Sequence, residues 1–156
     1  MDDETLRKKI SLIRWVAIIA LIASFVSYLF PYFSAAAFGV GVQISGINMI
    51  SLAFGALPGT SFGDTLSILL YIAPLVFGVV AGIALWAYYY RACAVFSFLA
   101  GGLRVAVHVI LPIYSASASY SVQLDLLSMQ FGFGWWLGMF GIFICAGAAL
   151  WISRQW

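Results

Sequence analysis

Apolar residues dominate four long runs along the chain, and one long loop, one short turn and one medium loop separate these runs. The runs cover about 10–30, 66–88, 92–111 and 133–152. A helix needs about 20 predominantly apolar residues to cross about 30 Å of hydrocarbon, and each run is long enough. The pattern therefore predicts four transmembrane helices.

Composition supports a membrane protein without a separate soluble domain. The 156 residues are 65% hydrophobic and 8% charged, with a mean hydropathy of +1.09, whereas about a quarter of the residues of soluble domains are charged. We therefore expect one all-α membrane domain over 1–156, with no separate soluble domain. Its predicted connections are an outer loop at 31–65, an inner turn at 89–91 and an outer loop at 112–132.

Basic residues predict the orientation of the helices, because Lys and Arg near helix ends stay on the cytoplasmic side. Those that flank the runs all fall on one side: Arg7, Lys8, Lys9, Arg14, Arg91 and Arg154. The loops on the opposite side contain Asp64 and Asp125 but no Lys or Arg. We expect an integral protein of the cytoplasmic (plasma) membrane with both termini cytoplasmic. The first run is longer than the apolar core of a signal peptide, which favours its retention as a helix.

Sequence similarity between the two halves predicts an internal repeat. AGIALW at 81–86 matches AGAALW at 146–151, and FPYFSAAA at 30–37 matches LPIYSASA at 111–118. Further matches follow in the same order: Val-Gln at 42–43 and 122–123, and Phe-Gly at 54–55 and 131–132. The Pro, Val-Gln and Phe-Gly matches lie outside the apolar background. They indicate two helical hairpins arranged as parallel repeats, related by a pseudo-two-fold axis along the membrane normal.

The first outer loop alternates apolar and small or polar residues at Val40, Val42 and Ile44, and then breaks at Ser-Gly-Ile-Asn. This pattern predicts short β-strands and a turn in an otherwise α-helical protein. The loop is also apolar for an exposed segment, which is typical of a contact surface. It is either a lid on the helix ends or a partner-binding surface, for which the candidates are Val42, Ile44, Ile47 and Met49.

Two loose motifs accompany the predicted layout: Ile44-Ser45-Gly46 in the first outer loop, and FGFGWWLG at 131–138 where the fourth helix begins. With these motifs, the layout of nearly the whole chain resembles that of small bacterial four-helix membrane proteins of claudin-like topology. The claudin signature itself, a Trp with Gly-Leu-Trp and two Cys, is absent from the first outer loop. The resemblance therefore implies a helical layout and no junctional role.

Glycines at four-residue spacing indicate close helix packing within the bilayer. They are Gly78 and Gly82 in the second helix, and Gly134 and Gly138, extended by Gly141, in the fourth. Either packing inside one chain or a homodimer face accounts for this spacing.

Arg104 and His108 lie one turn apart in the third helix, away from its cytoplasmic end. A charge within a bilayer costs about 2.5–3.5 kcal/mol or more, so Arg104 needs a partner or a purpose. Three interpretations are open. Arg104 extends to the outer headgroups with Asp64 or Asp125 as its partner, it makes a buried structural hydrogen bond, or it forms an anion or proton site with His108.

The chain offers little for catalysis, because acid–base, nucleophilic and metal chemistry require clustered functional groups. It has one His, two Cys without metal-ligand spacing, and five acidic residues, three of them within the first four positions. We therefore expect no enzyme, no cofactor, no metal and no nucleic-acid partner. Two function classes fit. One is an accessory or scaffold subunit that contacts membrane lipid and a protein partner. The other is a small channel or transporter, formed by one chain or by an oligomer, that uses Arg104 and His108.

Overall fold

The computed structural model describes residues 3–37, 40–48, 62–107 and 130–155. These residues are mostly helical. In chain order the elements are α1 (Asp3–Val26), a 3-10 turn (Ser27–Leu29), β1 (Pro31–Ala37), β2 (Val40–Ser45), α2 (Phe62–Trp86), α3 (Tyr90–Val105), β3 (Gln130–Phe131) and α4 (Phe133–Ser153).

The helices extend beyond the apolar runs at several ends. α1 begins at Asp3, seven residues before its apolar run, because its charged first turns favour helix, and Glu4 pairs with Lys8 one turn later at 2.7 Å. α2 begins at Phe62 rather than near residue 66 and continues through Pro74. α3 begins at Tyr90, because the turn after α2 comes earlier than expected, at residues 87–89.

Each long helix packs beside its neighbours: α1 against α4, α4 against α3, and α3 against α2, while α1 also contacts α2. Lys9 lies 5.3 Å from the ring centroid of Trp151, which places the start of α1 beside the end of α4. Arg14 lies over Tyr88, just after the end of α2. α1 therefore runs antiparallel to both α4 and α2. We call the end of the helices that carries Lys9, Arg14, Arg91 and Arg154 the basic end.

Small side chains line the contact between the helices. The fully buried residues are mostly Ala and Cys: Ala17, Ala81, Cys93, Cys145, Ala146 and Ala149. Such residues let helix backbones approach closely, as in membrane helix packing. Two of the described helical segments, Glu4–Leu29 and Phe133–Ser153, are long and apolar enough to cross a membrane, and Ile72–Trp86 is a shorter apolar stretch.

Three antiparallel strands cover the opposite end of the helices, which we call the sheet end. Their order is β2-β1-β3. β1 pairs with β2 from Pro31 opposite Ser45, with an irregularity between Pro31 and Phe33. β1 also pairs with the two-residue strand β3, which leads directly into α4. The strand β2 occupies the segment in which the alternating pattern predicts a strand.

Candidate functional site

Arg104 is the centre of a polar cluster that is enclosed between three elements. It lies in the last turn of α3, and only 3% of its surface is exposed. Its guanidinium carbon lies 4.8 Å from the ring centroid of Tyr28 and 5.6 Å from that of Tyr32. A desolvated cation over an aromatic face gains about 2 kcal/mol or more, which offsets part of the cost of burying the charge.

Two serines, one in the last turn of α1 and one in the 3-10 turn that follows, connect this cluster to α4 and to the first strand. Ser24 Oγ donates a hydrogen bond to the Gly138 carbonyl oxygen at 3.2 Å, and Ser27 Oγ donates to the Ser24 carbonyl oxygen at 2.6 Å. Ser27 Oγ also lies 3.1 Å from the Tyr32 hydroxyl. Because the serine hydroxyl has a single hydrogen, which Ser24 already accepts, Tyr32 is the donor in this last bond.

Glycines on α4 provide the space that the cluster occupies. A methyl group at Gly138 would overlap Nη1 of Arg104 and the hydroxyl of Ser27. A methyl group at Gly134 would lie 2.7 Å from the Ser27 carbonyl oxygen, and one at Gly141 would lie 2.5 Å from the Ala20 carbonyl oxygen. Gly141 therefore faces α1, Gly134 faces the 3-10 turn that follows α1, and Gly138 faces Arg104 of α3 and Ser27 of that turn. All these neighbours belong to the same chain.

The two glycines of α2 make looser contacts. A methyl group at Gly78 would lie 3.4 Å from the ring of Phe25, and one at Gly82 would lie 3.2 Å from Leu21. Both neighbours belong to α1. The glycines at four-residue spacing on α2 and α4 therefore face neighbours within the same chain.

Tyr32 joins the sheet to the helices. It is 1% exposed and packs with Trp135 and Met139 of α4 in a core cluster separate from the main one. Its carbonyl oxygen accepts a 2.7 Å hydrogen bond from the Gly132 amide, immediately before α4. The ring centroids of Phe131 and Trp135 lie 4.3 Å apart. Side-chain and backbone contacts therefore hold the start of β1 against α4.

Burial raises the pKa of the Tyr32 phenol well above its usual value, although the nearby Arg104 charge opposes this shift. The phenol therefore stays protonated at any pH at which proteins are normally handled. In this state it remains a hydrogen-bond donor to Ser27.

A cavity of about 10 Å³ lies beside Arg104 and is also lined by Ser24, Tyr28, Pro74 and Gly78. This volume is near the lower limit for a single water molecule. The cavity has room for such a water beside the guanidinium, but not for an organic substrate.

Most of the remaining site candidates from the sequence lie, wholly or by their side chains, outside the described part of the chain. His108, Asp125 and Met49 lie outside the described residues. Asp64 belongs to α2, and Val42 and Ile44 belong to β2, but their side chains lie outside the described part. Ile47 is described and is 48% exposed. The pairings of Arg104 with His108, Asp64 or Asp125 stay predictions.

The structure also brings together groups that sequence reasoning leaves apart. Cys93 and Cys145 are fully buried with their sulfur atoms 3.9 Å apart, and Ser97 Oγ donates to Cys145 Sγ at 3.7 Å. The two thiols come from α3 and α4, and the 52 positions that separate them give no motif. The sequence gives only a weak signal for the other polar residues of the cluster. They are polar residues at the end of an apolar run: Ser24, Ser27 and Tyr32.

Comparisons with known proteins give no relatives for this chain: no family model, curated protein or solved structure matches it.

Proposed function

We propose that this protein is a non-enzymatic integral membrane protein that acts by contact, as an accessory or scaffold subunit of a larger membrane complex. The observation that carries this proposal is the burial of Arg104 against the rings of Tyr28 and Tyr32. The buried cation of α3 thereby fixes the start of the sheet to the helices. The sheet end thereby becomes a firm surface that a partner can bind.

Exposed apolar side chains support a membrane location. They cover one face of α1 and one face of α4, and the larger ones are Leu12, Val16, Ile19, Ile22, Phe133, Trp136, Phe140 and Ile144. Soluble monomers rarely expose apolar patches larger than a few hundred Å². A lipid environment gives both faces a suitable solvent, and the two long apolar helices fit the thickness of a bilayer.

The basic end belongs on the cytoplasmic side in this proposal, because Lys and Arg near helix ends favour that side. Both termini are then cytoplasmic, and β1 and β2 face outward. Four spanning helices are the layout that the claudin-like resemblance implies.

The internal repeat is part of the same proposal. Ala81 and Ala146 occupy the same place in the two related hexapeptides, and both are fully buried. Ala84 and Ala149, three positions later, are also buried. These matched environments near the ends of α2 and α4 support two related hairpins, which we expect to form a four-helix membrane bundle.

Contact accounts for the Arg104 cluster better than permeation does. A transport site needs a charge that a substrate reaches and a space that the substrate fills. Arg104 is 3% exposed, and the cavity beside it has a volume of about 10 Å³. Packing and aromatic contacts occupy the guanidinium surface that a channel or transporter would use.

The proposal is tested by changing the sheet end without changing the helices. A double variant, Val42→Asp with Ile44→Asp, puts two charges on the segment proposed to meet the partner. We expect this variant to insert into the native membrane at the normal level but to lose its partner on gentle solubilisation. The readout is the amount of partner that co-purifies with the tagged chain.

Gly102→Ala is the matched control, because a methyl group at Gly102 would meet nothing within 4 Å. The control variant is expected to retain the partner fully. Retention of the partner by the double variant, at the same membrane level as the control, would show that β2 is not the contact surface.

A further inference from the structure

A second polar location lies at the basic end, far from Arg104. A pocket of about 400 Å³ opens between the middle turns of α1 and the end of α2. It is lined by Ser11, Arg14, Trp15, Ile18, Trp86 and Tyr88. Among the described residues, its lining contains a guanidinium and no carboxylate, so the charge of this lining is positive.

Arg14 presents its guanidinium to this pocket in a fixed position. Its Cζ atom lies 4.0 Å from the centroid of the Tyr88 ring, which places the cation over the aromatic face. Its Nε atom is buried and has no hydrogen-bond partner among the described residues. A planar guanidinium donates several parallel hydrogen bonds, and this geometry matches the oxygens of a phosphate.

The residue that supports Arg14 has an unusual backbone. Tyr88 has a φ of 63°, the left-handed conformation that ends helices and that usually belongs to glycine. The Tyr89 amide donates to the Ala84 carbonyl oxygen at 2.8 Å and completes this ending of α2. A large residue in this conformation costs free energy, and such strain is found at functional positions. This backbone conformation places the ring of Tyr88 where it contacts Arg14.

Two indoles flank the same pocket. Trp15 is 60% exposed and Trp86 is 79% exposed, on α1 and α2 respectively. An exposed indole has an apolar body and an N–H donor, and it prefers the headgroup level of a membrane. Ile18 extends the apolar wall one turn further from the basic end.

We infer that this pocket binds the phosphate of an anionic phospholipid from the leaflet at the basic end. The Arg14 guanidinium and the Ser11 hydroxyl contact the phosphate oxygens, and Trp15, Ile18 and Trp86 contact the glycerol and the start of the acyl chains. Charge complementarity favours this occupant, because the pocket joins a cation to an apolar wall. The inference depends on the membrane location in the proposed function and is independent of any protein partner.

The experiment measures lipid binding to the purified full-length chain in a nonionic detergent. Phosphatidylglycerol and phosphatidylcholine with identical acyl chains are titrated separately, and bound lipid is counted by native mass spectrometry. We expect one phosphatidylglycerol to be retained per chain, with phosphatidylcholine binding at least about tenfold more weakly. Arg14→Gln is expected to weaken phosphatidylglycerol binding about tenfold, the effect of one hydrogen bond to a charged group.

Two further variants separate the pocket from the general basic charge. Arg91→Gln removes an exposed charge of the basic end outside the pocket, and phosphatidylglycerol binding is expected to change less than about twofold. Tyr88→Asn removes the ring, but Asn tolerates the left-handed backbone, so the turn persists while Arg14 loses its support. This variant is expected to weaken binding severalfold.

Three results would overturn the inference. They are equal binding of the two lipids, an equal loss of binding in Arg14→Gln and Arg91→Gln, and binding of soluble glycerol phosphate as tightly as phosphatidylglycerol. Flotation of the same chain with lipid vesicles separates the two proposals. A chain that floats but does not discriminate between the lipids contradicts this inference alone, whereas a chain that does not float contradicts the proposed membrane location.

Discussion

A buried arginine is stable only if its surroundings replace the water that it loses. At Arg104 the replacement comes from the faces of Tyr28 and Tyr32 and from the space that Gly138 leaves on α4. The sequence alone marks Arg104 as exceptional, because a charge within an apolar run is costly. It does not identify these neighbours, because they come from three other points of the chain that only packing brings together.

The space at Gly138 is essential for this arrangement. Gly138→Ala is expected to destabilise the folded chain by about 1–3 kcal/mol, because the new methyl group would overlap Arg104 and Ser27. Gly147→Ala on the same helix meets nothing within 4 Å and is expected to leave stability unchanged or to raise it slightly. Unfolding in detergent, followed by circular dichroism, compares the two variants. Equal stabilities would contradict the described packing of α4.

The Tyr32 hydroxyl is the second residue-level test. Tyr32→Phe removes its hydrogen bond to Ser27 and is expected to cost about 1 kcal/mol of stability near neutral pH. The raised pKa of the phenol adds a pH signature. The free energy that the protonated phenol contributes is complete below about pH 10, the usual tyrosine pKa, and declines as the pH rises above it.

Ultraviolet absorbance of the phenolate measures this directly. The folded wild type and Tyr32→Phe are expected to titrate the same number of tyrosines near pH 10, because Tyr32 does not ionise there in the folded chain. One tyrosine fewer in the variant at that pH would show that Tyr32 is accessible and would contradict its burial.

Among the elements, the apolar runs predict the positions of the helices well but their ends less well. α1 begins seven residues before its run, because charged residues also form helix and Glu4 pairs with Lys8. The alternation at Val40, Val42 and Ile44 predicts the strand β2. The pairing of β1 with β3 is not predictable from the sequence, because it joins segments almost one hundred residues apart.

The link between α3 and the sheet is testable through Arg104. Arg104→Leu removes the cation that holds the rings of Tyr28 and Tyr32, and we expect chymotrypsin to cleave β1 about tenfold faster than in the wild type. Arg104→Lys keeps the charge but loses the planar contact, and an intermediate rate is expected. If both variants are cleaved at the wild-type rate, Arg104 does not anchor β1.

The contact between α3 and α4 has its own chemical probe. Cys93 and Cys145 lie 3.9 Å apart between sulfur atoms, within reach of a disulfide after a small movement. Mild oxidation by molecular iodine of the chain folded in detergent is expected to join them, and intact mass spectrometry would detect the loss of two hydrogens. Cys145→Ala is the control and is expected to show no such loss. If the wild type does not form this disulfide, even when it is warmed to increase the opening of the helices, the packing of α3 against α4 is contradicted.

For the molecule as a whole, the two ends have different chemistry. The basic end holds exposed cations and the indole-lined pocket, whereas the sheet end holds strands fixed by Tyr32 and Arg104. The sequence predicts this division through the placement of its basic residues. It does not identify the partner that we propose for the sheet end, because the chemistry of a partner is not encoded in this chain.

The most direct test of the whole account is the mass of the particle that contains this chain when it is solubilised gently from its native membrane. Native mass spectrometry or light scattering with a tagged full-length chain provides that mass. The account predicts a stoichiometric complex with a larger subunit. A homogeneous assembly made only of this chain would contradict it and would favour permeation through an oligomer.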